Sequence, residues 1–246
     1  MLLLCLLAAL EIPRLAVPVT IDGNLSEWKE RAFHDGVWDV YRVEKSDWYD
    51  PRINRLTRHS VEPSPSDDFS ARYYTAWDDR YLYLGAEVVD NVNDVEDPAH
   101  EPKRWYFKDA ICWFVEIPRD TVNERFGEGD HAFCFVADAR RPPYAAWHRS
   151  GTKVQSYREE PLEAAEWALK RGRNGDFTLE AKVDLQRLTG VTPRLGDTWG
   201  LSLVHTDPDG GDYGGHLILY GKGDDDNTWG LARLVAERAP VERRPD

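Results

Sequence analysis

Ala71-Arg72-Tyr73-Tyr74-Thr75-Ala76-Trp77, then Asp78-Asp79-Arg80, then Tyr81-Leu82-Tyr83-Leu84-Gly85-Ala86-Glu87-Val88-Val89-Asp90 is the stretch that decides the fold. Both arms are rich in aromatic and β-branched residues and alternate in character, the signature of half-buried strands. The three charged residues between them read as a turn, so the stretch is a β-hairpin.

The same pattern continues outward. Residues 109–117 predict a strand with Ile111, Trp113, Val115 and Ile117 on one face and Cys112, Phe114 and Glu116 on the other, and residues 131–138 repeat it. Residues 163–171, rich in Ala, Glu and Leu, favour helix by propensity alone. They lead into Gly172-Arg173-Asn174-Gly175-Asp176 and a strand over 177–183, so an Asn-Gly hairpin with Ala165, Trp167 and Leu169 on one face accounts for both sides. Residues 184–190 predict a helical turn or two, capped by Asp184 and stopped by Gly190. Strands over 199–205, 216–220 and 229–235 complete the set. Upstream, residues 11–22 are Pro-punctuated and extended, and Ile21-Asp22-Gly23-Asn24-Leu25-Ser26-Glu27-Trp28 is a tight turn entering a short helix. Residues 35–68 have no sustained period and read as a long surface excursion, packed down by Trp38, Tyr41, Trp48 and Tyr49. Strands recur with turns between them and no βαβ rhythm. The expected fold is all-β, an antiparallel β-sandwich of immunoglobulin-like or jelly-roll type with one or two short helices.

The chain has 246 residues with 31 Lys+Arg against 44 Asp+Glu, a formal charge of −13. Such a surface repels phosphate backbones and anionic headgroups, which argues against nucleic-acid and membrane-surface partners. One sandwich is enough to account for the length. Ten Trp, eleven Tyr and eight Phe stand against one Met. An acidic protein rich in amphipathic rings is suited to an uncharged, polar, flat-faced ligand such as neutral sugar. Residues 1–10 are apolar but far short of the roughly 20 needed to span a bilayer. Their length suits the core of a signal peptide, implying a secreted or periplasmic protein. They lack a basic start and a clear cleavage site, and the other reading is a mis-started gene. The expected organisation is a leader and extended lead-in over 1–19, one sandwich over 20–236 and a charged tail over 237–246.

Three landmarks, in this order, resemble the family 9 carbohydrate-binding modules. They are Ile21-Asp22-Gly23 with Glu27-Trp28; Trp77-Asp78-Asp79-Arg80-Tyr81-Leu82-Tyr83 followed by Val89-Asp90 and by Trp105 to Glu116; and Asp176-Phe177-Thr178-Leu179-Glu180-Ala181-Lys182-Val183, then Trp199-Gly200-Leu201 and Trp229-Gly230. The resemblance runs from about Thr20 to Val235. It implies a β-sandwich that clasps terminal sugar units between two aromatic rings, with a glycan as ligand, a glycan-degrading enzyme as partner and, in several members, structural calcium. The family's stacking Trp lies three residues before the position of Asp109. In this chain Tyr106 fills that place and Trp105 precedes it, so either ring is the candidate, and Asp109 holds the loop at the strand start. No clear counterpart of the second ring exists; Trp147, Tyr213 and Trp229 are candidates. Arg104, Lys108, Asp226 and Asn227 are candidate polar partners for sugar hydroxyls, with solvated loop residues as the plain reading.

Calcium needs six to eight oxygens. Asp90, Asn93, Asp94 and Glu96, with Asn91 and Asp97, form the densest acidic loop, and Asp207, Asp209 and Asp212 a weaker one. An acidic solvated face is the alternative for both. No catalytic residues are assigned: among 44 acids, pairs such as Glu87 and Glu116 have no weight, and no Ser sits in a G-x-S-x-G elbow. The alternatives to sugar binding are a structural or protein-interaction sandwich that has lost it and a haem-binding electron-transfer domain of related fold. Haem is not expected, because the only Met is Met1 and His131, His148, His205 and His216 stand alone on strands. The resemblance makes Cys112 and Cys134 neighbours on antiparallel strands, where the family faces a Glu with an Arg. They are either a disulfide or two packed thiols.

Overall fold

The structure, a computed structural model, describes residues 9–39, 48–50, 55–57, 69–91, 105, 108–119, 129–137, 144–150, 157–207, 215–221 and 225–238. The deciding hairpin is present as β5 (Phe69–Trp77) and β6 (Tyr81–Asp90), antiparallel, with Trp77 opposite Leu82. Asp78 closes the turn: its Oδ1 accepts the backbone N–H groups of Arg80 and Tyr81 at 2.8 and 2.7 Å. The Asn-Gly hairpin is present too, as β11 (Ala165–Arg171) and β12 (Phe177–Asp184), with Arg171 opposite Phe177 and Asn174 at φ 54°. Tertiary pairing thus overrides the helix propensity of β11, whose Ala165, Trp167 and Leu169 pack against the core. The short helix α1 (Leu185–Thr189) has Asp184 accepting the Arg187 N–H at 3.1 Å and ends on left-handed Gly190.

Two sheets form the sandwich. Among the described residues, the smaller runs β11-β12-β6-β5-β2, where β2 is Trp38–Asp39. The larger is centred on β7 (Ala110–Glu116) and β13 (Thr198–Asp207). Beyond β7 come β8 (Asp130–Val136), β9 (Tyr144–Ser150) and β10 (Tyr157–Pro161). On the other edge of β13, β15 (Gly230–Val235) pairs with its first half and β14 (Gly215–Leu219) with its second. The core between the sheets includes Trp77, Leu84, Trp113, Phe133, Phe135 and Leu179, all buried.

Two expectations are corrected. Residues 35–68 are not simply an irregular excursion: besides β2 they supply β3 (Trp48–Asp50) and β4 (Arg55–Thr57), which extend the larger sheet from β14. Strands of two or three residues are too short to show a period. Nor does packing begin at residue 20. Leu10–Pro13 forms β1, which pairs parallel with β15, so the sandwich is not purely antiparallel. Ile12 is buried, and the Trp77 indole N–H lies 3.0 and 3.2 Å from the carbonyls of Ile12 and Val235, clasping both strands.

The outer face of the smaller sheet is capped by the Ile21-Asp22-Gly23…Trp28 landmark, and its anchor comes from the third landmark. Glu180, fully buried on β12, accepts the backbone N–H groups of Asp22 and Gly23 on Oε2 at 2.9 and 2.8 Å and the Trp28 indole N–H on Oε1 at 2.8 Å. Gly85 on β6 makes the room, since a Cβ there would sit 2.9 Å from Leu25 and 3.1 Å from the Trp28 ring. Trp28, Tyr74 and Tyr83 then close into one aromatic cluster.

Candidate functional site

The alternation along β7 sends Ile111, Trp113 and Val115 inward and leaves Cys112, Phe114 and Glu116 on the outer face of the larger sheet. Register places Cys134 opposite Cys112, and Asp130 opposite Glu116, on β8; on β13, Val204 lies beside Cys112 and Thr206 beside Ala110. The structure joins Cys112 and Cys134 in a disulfide. That pair, Phe114, Ala132, Val204 and Trp229 make a separate apolar cluster on this face, with Trp105 partly buried against it. Phe114 is the hub: the Trp105 ring meets it edge-on with centroids 6.4 Å apart, and the Trp229 ring packs against it at 5.8 Å. The sequence reading missed Phe114 in this role, although its outward position on β7 was visible from the alternation.

The other candidates separate by position. Trp229 is 4% exposed and Trp147 7% exposed. Trp147 belongs to the inter-sheet core, where its indole N–H donates to Nδ1 of His131 at 3.2 Å and its ring stacks on that imidazole. It lies on the opposite face of the sheet from Trp105, because Trp147 pairs with inward-facing Phe133. Lys108 is buried next to Trp105; its backbone N–H donates to the Trp105 carbonyl at 3.0 Å, closing a tight turn. Asp226 is buried in a 3₁₀ turn, Asp226–Thr228, and Asn227 beside it is exposed. Arg104, Tyr106, Tyr213, Asn93, Asp94 and Glu96 lie outside the described residues.

Two groups of three acids lie at the two ends of β7. Glu116, Asp130 and Asp226 bring carboxylate oxygens within 4.8 Å of one another at one end of β7. Arg119 supplies positive charge there, its guanidinium 2.5 Å from Glu116 Oε2 and 3.1 Å from the Asp226 carbonyl. At the other end of β7, Asp90, Asp109 and Asp207 do the same. Asp90 belongs to the first acidic loop read from the sequence and Asp207 to the second, so the fold joins two candidates into one and adds Asp109. The carboxylate charge reaches into the core from here. The Tyr73 hydroxyl shares a 2.6 Å hydrogen bond with His205 Nδ1. Burial first, then the charge of Asp207, raises the Tyr73 phenol well above its ordinary range, and burial lowers His205 to about 3. Glu87 and Glu116, the pair weighed for catalysis, lie on different sheets.

The profile described as carbohydrate family 9 binding domain-like matches residues 43–235. The chain belongs to this family. The family 9 match begins after the Ile21…Trp28 landmark, which the structure ties to Glu180 within the matched region. Among solved structures, the family 9 fold is similar to a carbohydrate-binding module of family 9 from Caldicellulosiruptor kristjanssonii in complex with cellotriose. The TM-score is 0.61 at 15% identity, covering 97% of this chain and 99% of that one. The same organism's module in complex with glucose gives 0.60 at 15% identity, covering 96% and 100%. Comparison with curated proteins finds no match to this family 9 chain.

Proposed function

We propose that this chain is a non-catalytic carbohydrate-binding sandwich that holds a neutral glycan on the outer face of its larger sheet, with the Trp105 ring as stacking platform. The observation that carries this reading is the Trp105–Phe114–Trp229 set. It is an aromatic cluster outside the core, with one ring left partly open, in a family 9 fold whose solved neighbours hold cellotriose and glucose. A ring backed by other rings offers rigid apolar area to a sugar face at little entropic cost, and exposed polar groups nearby, Asn227 among the described residues, suit hydroxyls. Tyr106, Arg104 and Tyr213 are proposed to complete the site.

Calcium is proposed at Asp90, Asp109 and Asp207. Carboxylates from three separate strand ends, with oxygens within 4.8 Å of one another, fit the hard-oxygen donor set that calcium takes at roughly 2.3–2.6 Å. When bound, the ion would neutralise the group and brace the strand ends next to Lys108. Export is proposed as the setting in which the Cys112–Cys134 bridge persists, and a glycan-degrading enzyme as the partner.

Affinity electrophoresis in gels cast with soluble glycans, followed by calorimetry with cellotriose and glucose, tests the reading. Retardation of the wild type and its loss in Trp105→Ala are expected. No binding to any glycan by the wild type overturns it. Melting with added calcium and then with chelator tests the metal: a midpoint that rises and falls again is expected in the wild type and not in Asp109→Asn.

A further inference from the structure

We infer that Thr206 is a positioning residue for the sugar platform, fixing the turn that carries Trp105; the inference rests on the carbohydrate-binding reading above. Thr206 lies near the end of β13, 1% exposed, directly opposite Ala110 on the outer face. Its hydroxyl has one proton, and the nearest acceptor is the Lys108 carbonyl, 2.5 Å from Oγ1. The carbonyls of Ala110 and Trp105 lie 3.3 and 3.4 Å from the same oxygen. The Lys108 N–H closes back on the Trp105 carbonyl at 3.0 Å. Lys108 is therefore tied to Thr206 through its carbonyl and to Trp105 through its N–H, so the Trp105 ring projects onto Phe114 from a backbone linked to a central strand.

The chemistry suits the task. A β-branched residue is stiff at χ1, so its hydroxyl is already aimed where the carbonyls converge. Binding sites need side chains held to about half an ångström by supporting groups, and a platform that must first be ordered loses affinity to that ordering. Phe114 supports the ring from one side. Thr206 restrains its backbone through Lys108, which contributes to the site through its carbonyl.

Calorimetry with cellotriose on five proteins, wild type, Thr206→Val, Thr206→Ser, Trp105→Ala and the double variant Thr206→Val/Trp105→Ala, tests this alongside thermal melting. Thr206→Val keeps the shape and removes the proton. Roughly tenfold weaker binding is expected, the scale of one lost hydrogen bond. Thr206→Ser keeps the proton and should bind within about twofold of wild type. In the double variant Thr206→Val/Trp105→Ala, the loss should equal that of Trp105→Ala alone, because Thr206 acts through the ring. Wild-type affinity in Thr206→Val, or additive losses in the double variant, overturns the inference while leaving the carbohydrate reading standing. A wild type that binds no glycan refutes the carbohydrate reading itself. Should Thr206→Val not fold, Thr206→Ala is read in the same way; if neither folds, Thr206 is a stability residue and the inference falls.

Discussion

The two outer faces of the sandwich carry the same device to different ends. On the smaller sheet, Trp28, Tyr74 and Tyr83 cluster over β5 and β6, and Trp28 is 0% exposed with its indole N–H bound by Glu180. On the larger sheet, Phe114 and Trp229 cluster over β7 and β13, and Trp105 stays partly open against them. One cluster has every edge spoken for and serves as a lid. The other is locked beneath, by the Cys112–Cys134 bridge, and leaves a ring at its margin. An aromatic on the outside of a sheet is therefore not by itself a ligand platform. What separates the two is burial: the Trp28 ring is wholly enclosed with its N–H on Glu180, and the Trp105 ring is half-buried.

The largest break in this comparison should come from Trp28→Ala. Removing a fully buried indole costs about 3–5 kcal/mol in comparable cores, and here it also strips one donor from buried Glu180. Chemical denaturation should register that loss, while the molecules that remain folded bind sugar as the wild type does. Weaker sugar binding with unchanged stability would reverse the roles assigned to the two faces.

Next in size is the bridge. Closing a loop over a sequence separation of 22 residues stabilises by about 3 kcal/mol in the chain-entropy estimate. The double variant Cys112→Ser/Cys134→Ser should lose about that much. Thiol titration of the denatured wild type should find one group, Cys5, before reduction and three after. Equal titres would mean two packed thiols.

Much of this contrast was legible in the sequence, and the limit was range. The β5/β6 turn, the Asn174-Gly175 hairpin, the Asp184 cap and the inward and outward faces of β7 are written within ten or so residues each, where turn chemistry and alternation operate. What joins distant segments was not legible. Nothing local announces that β1 pairs parallel with β15, or that Asp90, Asp109 and Asp207 meet from three strands. Trp147 shows the limit most simply: it is one more Trp in the sequence, and only the β8/β9 register turns it into the core. The resemblance brought Trp105 forward but not Thr206, whose hydroxyl acts on a turn about a hundred residues away.

Trp105→Ala should cost much less stability than Trp28→Ala, about 1 kcal/mol, since the ring is only partly buried. Its effect belongs instead to binding, with an affinity loss of tenfold or more expected for a lost stacking ring. Calorimetry and melting on the same preparation check both halves. A melting loss as large as that of Trp28→Ala would make Trp105 a second lid.

The smallest effect concerns charge on the lid face. Burial favours the protonated form of Glu87, but hydrogen bonds from Lys29 at 2.6 Å and from the Tyr74 hydroxyl at 2.5 Å outweigh it, so its carboxyl titrates below the ordinary range. A folded-state pKa below the unfolded one stabilises the protein above the unfolded value and loses that stabilisation as pH falls through the folded value. The loss therefore lies on the acid side of about pH 4.5, the ordinary carboxylate value. Both partners are over a quarter exposed, so solvent screening holds the Lys29 contribution to roughly 0.5 kcal/mol. Urea unfolding at intervals from pH 3 to 7 should show Lys29→Met lowering the neutral plateau by about that amount and converging on wild type at the acid end, so that its acid limb is flatter. Half-molar salt should shrink the difference. If Lys29→Met instead cost several kcal/mol at neutral pH, the lid would depend on its rim charges, and the contrast between a fully buried ring on Glu180 and a half-buried one would no longer separate the two faces.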